Sequence, residues 1–217
     1  MQALNHPDYL ALREGASVIE ADGSGDKVLV LADGTMLKFF RRKRLLSSAL
    51  LFPYAERFAT NIGALRQRQV PCPEVLSVYR IPSITRDAVH YRPLAGETVR
   101  HVFKSGPPAD LRFKLGRFVA ELHDKGVYFR SLHLGNIVIG LDQRLGLIDV
   151  ADMSFHRRSL PTSKRLRNFQ HMARYRKDME CLIGADGAQP FLDGYDQGLA
   201  DTAVRRLLMP RLGALFD

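Results

Sequence analysis

Three residues distant in the chain carry side chains suited to a phosphate group and its counter-ion: Lys38, Asn136 and Asp149. Asp149 follows Asn136 by thirteen residues and closes an apolar run, Leu145 to Ile148. An amide oxygen and a carboxylate are hard donors of the kind divalent cations take. A lysine ammonium is a compact charge for a phosphate oxygen. Ser131 stands five residues before Asn136, and His133 lies two residues beyond Ser131. A hydroxyl and an imidazole there are candidates for handling a proton. Each residue has a plainer reading beside this one. Asp149 is then a turn aspartate, Gly135-Asn136 a turn pair, Lys38 a solvated lysine, and His133 a residue that packs its loop.

The elements that must position these groups read clearly in places. Ala16 to Ala21, Lys27 to Ala32 and Thr35 to Phe40 are expected strands. Asp22 to Asp26 is the first turn, with Gly23 and Gly25 in it, and Asp33-Gly34 signals a type I′ hairpin. A helix is expected from about Ser48 to Arg68, with Leu51, Ala55, Phe58, Ile62 and Leu65 on one face. Pro71 and Pro73 close it. Val75 to Ile81 and Ala88 to Tyr91 are two further strands, and Pro93 to Gly96 is a turn. Leu111, Leu115, Phe118, Val119 and Leu122 recur at helical spacing, with Asp110 as N-cap and Gly126 as the stop. A helix follows Pro161. A last one runs from Asp201 to Phe216, broken near Pro210.

Composition sets the outer bounds. A chain of 217 residues holds one large domain or two small parts. Its two cysteines match no metal or redox spacing, which points to a reducing compartment. The first residues have no signal-peptide pattern, and no apolar stretch nears the roughly 20 residues a bilayer crossing needs. A soluble, cytoplasmic protein is expected. The net charge of +9 favours anionic partners. Arg41 to Arg44 form one basic group. Arg157, Arg158, Lys164, Arg165, Arg167, Arg174, Arg176 and Lys177 form another. They are either solvated faces or a wall for an anionic ligand, since guanidinium matches phosphate and carboxylate in pairs of bonds. Nucleic acid is the weaker partner, for there is no Trp and Tyr is scattered.

The segment from Tyr128 to Val138, followed by Leu147-Ile148-Asp149, has the shape of a protein-kinase catalytic loop and metal-binding strand, H-R-D-L-x-x-x-N and then D-F-G. The chain resembles the kinase-like superfamily, and more narrowly the small bacterial lipopolysaccharide-core kinases: heptose and Kdo kinases and the InaA or toluene-tolerance type. The residues that carry the likeness are Thr35 to Lys38, Val70 to Pro73, Tyr91 to Gly96, Glu121-Leu122-His123, Gly126-Val127-Tyr128, Gly135-Asn136, Asp149 and Lys164 to Phe169. It covers roughly residues 16 to 180.

The resemblance implies an α+β, protein kinase-like two-lobed fold. Residues 1–93 would be a small antiparallel sheet with one main helix, and residues 94–217 a reduced, mostly helical lobe. It implies ATP and Mg2+ as cofactors. Lys38 would hold the α- and β-phosphates, with Glu56 as its carboxylate partner and Asn61 a further polar candidate. Asp149 and Asn136 would be the metal ligands. Gly23 and Gly25 would cover the phosphates, and the backbone near Tyr91, Arg92 and Pro93 would meet adenine. Against the pattern, Ser131 replaces the proton-accepting Asp and Phe129 replaces the His. General-base help is worth roughly 10²–10⁴-fold, and His133 is a candidate substitute. His123 matches a residue that braces the loop.

Three functions stay open at this stage. One is an atypical kinase whose acceptor is an anionic glycolipid or phosphorylated sugar of the lipopolysaccharide core, met at the inner face of the cytoplasmic membrane. Another is a pseudokinase that binds nucleotide and serves a partner protein. The last is a polyanion or nucleic-acid binder.

Overall fold

A computed structural model describes residues 1–41 and 52–216. Arg42, Lys43 and Arg44, and the expected start of the main helix at Ser48, lie outside the described residues. The chain divides into two units. One is Met1–Leu94 with Asp149–Ala151, and the other is Ala95–Ile148 with Asp152–Asp217.

The first unit is built on a six-stranded sheet. Its elements are β1 (Gln2–Ala3), α1 (His6–Leu12), β2 (Ser17–Asp22), β3 (Gly25–Val30), β4 (Met36–Arg41), α2 (Tyr54–Gln67), β5 (Glu74–Ile81) and β6 (Arg86–Arg92). The strand order is β1-β5-β6-β4-β3-β2. Only β1 joins in parallel, and the other pairings are antiparallel.

Alternation along β4 decides what faces where. Leu37 and Phe39 pack with Tyr9, Leu29, Leu31, Ile81 and Ala88 in one core. Phe40, of opposite parity, lies against Tyr54 and Phe58 of α2. Lys38 shares that parity and is therefore presented on the α2 face of the sheet. Helix α2 buries Ala55, Phe58, Ile62 and Leu65, the stripe its spacing predicts.

Besides β1, which the sequence reading does not place, two features of this unit depart from that reading. The Asp33-Gly34 turn is not type I′, because Gly34 (φ 80°) is left-handed and Asp33 is not. Gly34 N–H bonds the Leu31 carbonyl at 3.0 Å, and the Asp33 carboxylate takes the Thr35 N–H at 2.9 Å and its hydroxyl at 2.6 Å. This is a three-residue connection in which only one position needs glycine. The other departure is α1, which the apolar pattern did not reveal. Its signal was chemical: the Asn5 side chain accepts the Asp8 N–H at 2.9 Å, with proline in the first turn.

The second unit is mostly helical. It contains β7 (Gly96–Thr98), α3 (Val99–Ser105), α4 (Leu111–Asp124), β8 (Val127–Phe129), β9 (Ile137–Gly140), β10 (Leu145–Leu147), β11 (Met153–Phe155), α5 (Thr162–Met172), α6 (Arg176–Ile183), α7 (Gln189–Gly198) and α8 (Thr202–Phe216). Helices α4 and α7 meet backbone to backbone. A Cβ on Gly116 would lie 2.1 Å from the Phe191 carbonyl oxygen, and one on Gly194 would lie 2.0 Å from that of Phe113.

Asp110 sits at the N-cap of α4 but makes no capping bond, and its carboxylate pairs with Lys114 at 2.8 Å instead. Helix α8 is not broken at Pro210. It runs on because Leu208, Leu212 and Phe216 anchor both sides of the proline in the core. The fold is thus α+β, with a mainly antiparallel sheet unit and a mostly helical one. The sheet unit's order of three strands, main helix and two strands is the order the resemblance implies.

A buried polar network ties the helical unit together. His123, fully buried, has Nδ1 2.8 Å from the Tyr195 hydroxyl and Nε2 3.2 Å from Asn168 Oδ1. The Asn168 amide in turn donates to the Phe129 carbonyl at 2.7 Å. Arg165 is also fully buried. It bonds the Leu160 carbonyl at 2.7 Å, the Asp124 carboxylate and the Tyr195 hydroxyl. It belongs to the core and not to a surface basic wall. Burial, with Arg165 adding to it, pushes the His123 pKa down to about 3.

His123 therefore stays neutral in the folded chain where the unfolded chain takes up a proton, below a pKa of about 6.5. Stability should be unaffected by this group above that pH. It should fall as pH drops from there towards 3, with a slope of at most about 1.4 kcal/mol per pH unit. Urea unfolding at a series of pH values is expected to show that slope, and His123→Gln should flatten it. An equal slope in the variant would contradict the assignment.

Candidate active site

The sheet unit brings two of the expected residues into contact. Lys38 Nζ lies 2.7 Å from Asp149 Oδ1. The lysine is mostly covered, with 17% of its side chain exposed, while the carboxylate is 47% exposed. Strand β4 fixes Lys38 through its pairing with Val28 on one side and Val89 on the other.

Asp149 is held by its neighbours. Its own backbone is left-handed, at φ 54°, a conformation that side chains other than glycine enter at a cost of about 1–3 kcal/mol. The next residue, Val150, is fully buried. Its carbonyl accepts the Asn61 amide at 2.7 Å, and Asn61 is itself buried on α2. Asn61, the further polar candidate for Lys38, thus positions the Asp149 segment instead. Tyr91 lies inside the sheet unit against Phe58, its ring centroid 5.5 Å away. Its phenol is pushed up to about 12 by burial, then by the negative charges of Asp149 and Glu20.

Glu56 is not the partner of Lys38. It faces the amino group of Met1 at 3.7 Å, and Asp149 takes the place expected for it. The register of α2 was open in the sequence.

Gly23 and Gly25 lie in the tight turn between β2 and β3, where Asp22 pairs with Gly25. Gly25 (φ 106°) is left-handed, which explains its type. The acidic residues of this turn are neutralised locally. Asp22 takes Arg41 at 2.8 Å, Lys27 at 3.6 Å and the Ser24 N–H at 2.8 Å, and that backbone bond leads in holding its carboxyl below the usual range. Asp26 takes Arg13 at 3.1 Å. Arg92 is exposed and paired with Glu74, and Pro93 is half-buried just before the end of the unit.

In the helical unit Ser131, His133 and Asn136 share one loop. The buried Asn136 donates its amide to the Ser131 carbonyl at 2.9 Å, which leaves the amide oxygen to act as an acceptor. Its backbone carbonyl takes the N–H of Ile148 at 3.0 Å. His133 Nδ1 accepts the Gly135 N–H at 3.1 Å, and Arg100 Nη2 approaches it at 3.2 Å. Its ring lies 4.3 Å from that of Tyr175. Nδ1, the ring's lone-pair nitrogen, is thus committed to the loop, and the proton of the neutral ring sits on Nε2, which argues against a base role for His133.

Two bracing residues were missed in the sequence. Arg100 holds Asp178 with two bonds of 2.8 Å, and Asp178 also accepts the Leu134 N–H at 2.8 Å. Gly135 makes room for this, since a Cβ there would lie 2.5 Å from Arg100 Nη1. The motif gave no sign of Asp178, which comes from α6, forty-two residues after Asn136 (178 − 136).

Other carboxylates near this loop in the chain are engaged. Asp152 faces Arg130 at 3.6 Å, and Asp124 is bound to Arg165 and to the Ala200 N–H. Within the sheet unit the Asp149 carboxylate is a hard donor that suits magnesium, and the Lys38 ammonium suits a phosphate oxygen. These side chains fit the cofactors the motif implies.

No family model matches the chain, and no curated protein does. Many solved structures resemble it. One is a crystal structure of monomeric WbdD, at 17% identity and a TM-score of 0.46, aligned over 88% of this chain and 43% of that one. This chain thus spans less than half the length of that one. Among the described residues, no helix is long and apolar enough to cross a membrane.

Asn61→Leu keeps the shape of the side chain but leaves the buried Val150 carbonyl unpaired. It should destabilise the sheet unit by about 1–3 kcal/mol, measured by denaturant unfolding. A loss well under 1 kcal/mol would mean that Asn61 does not hold the Asp149 segment.

Proposed function

We propose that the chain binds ATP with Mg2+ and transfers its terminal phosphoryl group, as an atypical kinase. The observation that carries this reading is the 2.7 Å contact between Lys38 and Asp149. It joins a cation on the third strand of the main antiparallel run to a carboxylate held in a strained backbone. Phosphoryl transfer asks a protein mostly for position and charge. When bound, magnesium would neutralise charge on the phosphates. On this reading the Lys38 ammonium turns to a phosphate oxygen, Asp149 and the Asn136 amide oxygen hold the cation, and the Gly23–Gly25 turn lies over the phosphates. Adenine meets the backbone near Tyr91 to Pro93. The acceptor is a sugar of the lipopolysaccharide core, as the sequence resemblance implies, met at the inner membrane face.

A pseudokinase is the second reading, and a specific observation favours it. Ser131 offers no carboxylate, and Asp124, Asp152 and Asp178 are each paired with an arginine. None of them stands ready as a substitute base. Loose transition states tolerate that loss, with transfer slower by roughly 10²–10⁴-fold.

Thermal shift and turnover separate these readings. Mg·ATP at 100 times its dissociation constant should stabilise the wild type by about 2.7 kcal/mol. Lys38→Ala and Asp149→Ala should remove that shift. Wild-type turnover with a core-sugar acceptor, lost in Asp149→Ala, would establish the kinase. Turnover only in Ser131→Asp would mark a decayed enzyme. No shift in the wild type would defeat both readings.

A further inference from the structure

The helical unit gathers positive charge around one buried imidazole, that of His171. Lys164, Arg167 and His171 lie at i, i+3 and i+7 along α5 and share a face, and Arg174 follows just past the C-cap residue Ala173. That face is turned to β8. Lys164 Nζ lies 5.0 Å over the Tyr128 ring, and the rings of Tyr128 and His171 are 6.3 Å apart. Arg130 follows the end of β8 and directly precedes Ser131. Arg174, Arg167 and Arg130 are each near enough to His171 to help hold its pKa down, after burial, while Asp152 acts the other way.

The counter-charge is meagre. Asp152 meets Arg130 at 3.6 Å, and the guanidiniums of Arg167 and Arg174 have no carboxylate partner among the described residues. Like charges crowded without a partner repel, and a doubly charged anion relieves that. Guanidinium groups suit phosphate oxygens in pairs of bonds.

We propose that Arg130, Arg167 and Arg174 form a site for a phosphate monoester on the acceptor, within reach of the Ser131 loop. Its purpose rests on the phosphotransfer reading, whereas its chemistry rests on the cation cluster alone. The ligand class is a sugar that already carries a phosphate. That narrows the acceptor from any anionic sugar to a phosphorylated one.

The test uses the whole chain and glucose 6-phosphate as probe, with glucose as the uncharged control. Binding is read by calorimetry and by the His171 ring resonances. Glucose 6-phosphate should bind and shift those resonances, and glucose should do neither. The double variant Arg167→Gln/Arg174→Gln should weaken binding by about tenfold or more. A charge-matched variant on α8, Arg206→Gln/Arg211→Gln, should leave it within about twofold, as exposed charges that do not touch the ligand are screened. Equal losses in the two variants would overturn the site in favour of diffuse charge. Binding of phosphatidate vesicles without binding of glucose 6-phosphate would overturn it in favour of a membrane headgroup. Glucose 6-phosphate binding that survives in Lys38→Ala, whether or not Mg·ATP binds the wild type, keeps this site separate from the nucleotide reading.

Discussion

One ion pair organises the functional reading, the contact between Lys38 and Asp149. Each partner is fixed by a different kind of constraint. Lys38 is set by strand pairing on both sides of β4, which leaves it little freedom to leave the α2 face. Asp149 is set by a short segment that must accept a left-handed residue and bury the next one. The Asn61 amide stabilises that arrangement through the Val150 carbonyl. A lysine and an aspartate in contact hold opposite charges where a polyphosphate and its cation would each find a partner.

The loop in the helical unit shows a second constraint, satisfied polar atoms beneath a chemically sparse surface. Asn136 is tied to the Ser131 carbonyl, His133 to Gly135, and Leu134 to Asp178. Beneath them His123, Asn168, Tyr195 and Arg165 form a buried network in which every member has a partner. Such networks hold one geometry, because leaving any member unpaired in a low dielectric is costly. The loop has this bracing with Ser131 where the resemblance would place an aspartate.

Much of this was legible in the sequence because strand alternation and helical spacing are local. The parity of Leu37, Lys38 and Phe39, the stripe of α2 and the face of α4 all follow from one stretch of chain. The failures are non-local. Glu56 was assigned by elimination, and the partner of Lys38 lies more than a hundred residues away at Asp149. Arg165 read as surface charge because nothing nearby in sequence reveals that Asp124 and Tyr195 receive it. Asp178 and Arg100 brace the loop from helices that no motif links to it. Pro210 read as a break because the anchors of α8, Leu208 and Phe216, are a matter of packing.

A crystal structure with magnesium and a non-hydrolysable ATP analogue tests the central claim most directly. The account expects Lys38 Nζ to leave Asp149 for a phosphate oxygen, with the Asp149 carboxylate and the Asn136 amide oxygen on the cation. Nucleotide bound elsewhere, with the Lys38–Asp149 contact still at 2.7 Å, would contradict it.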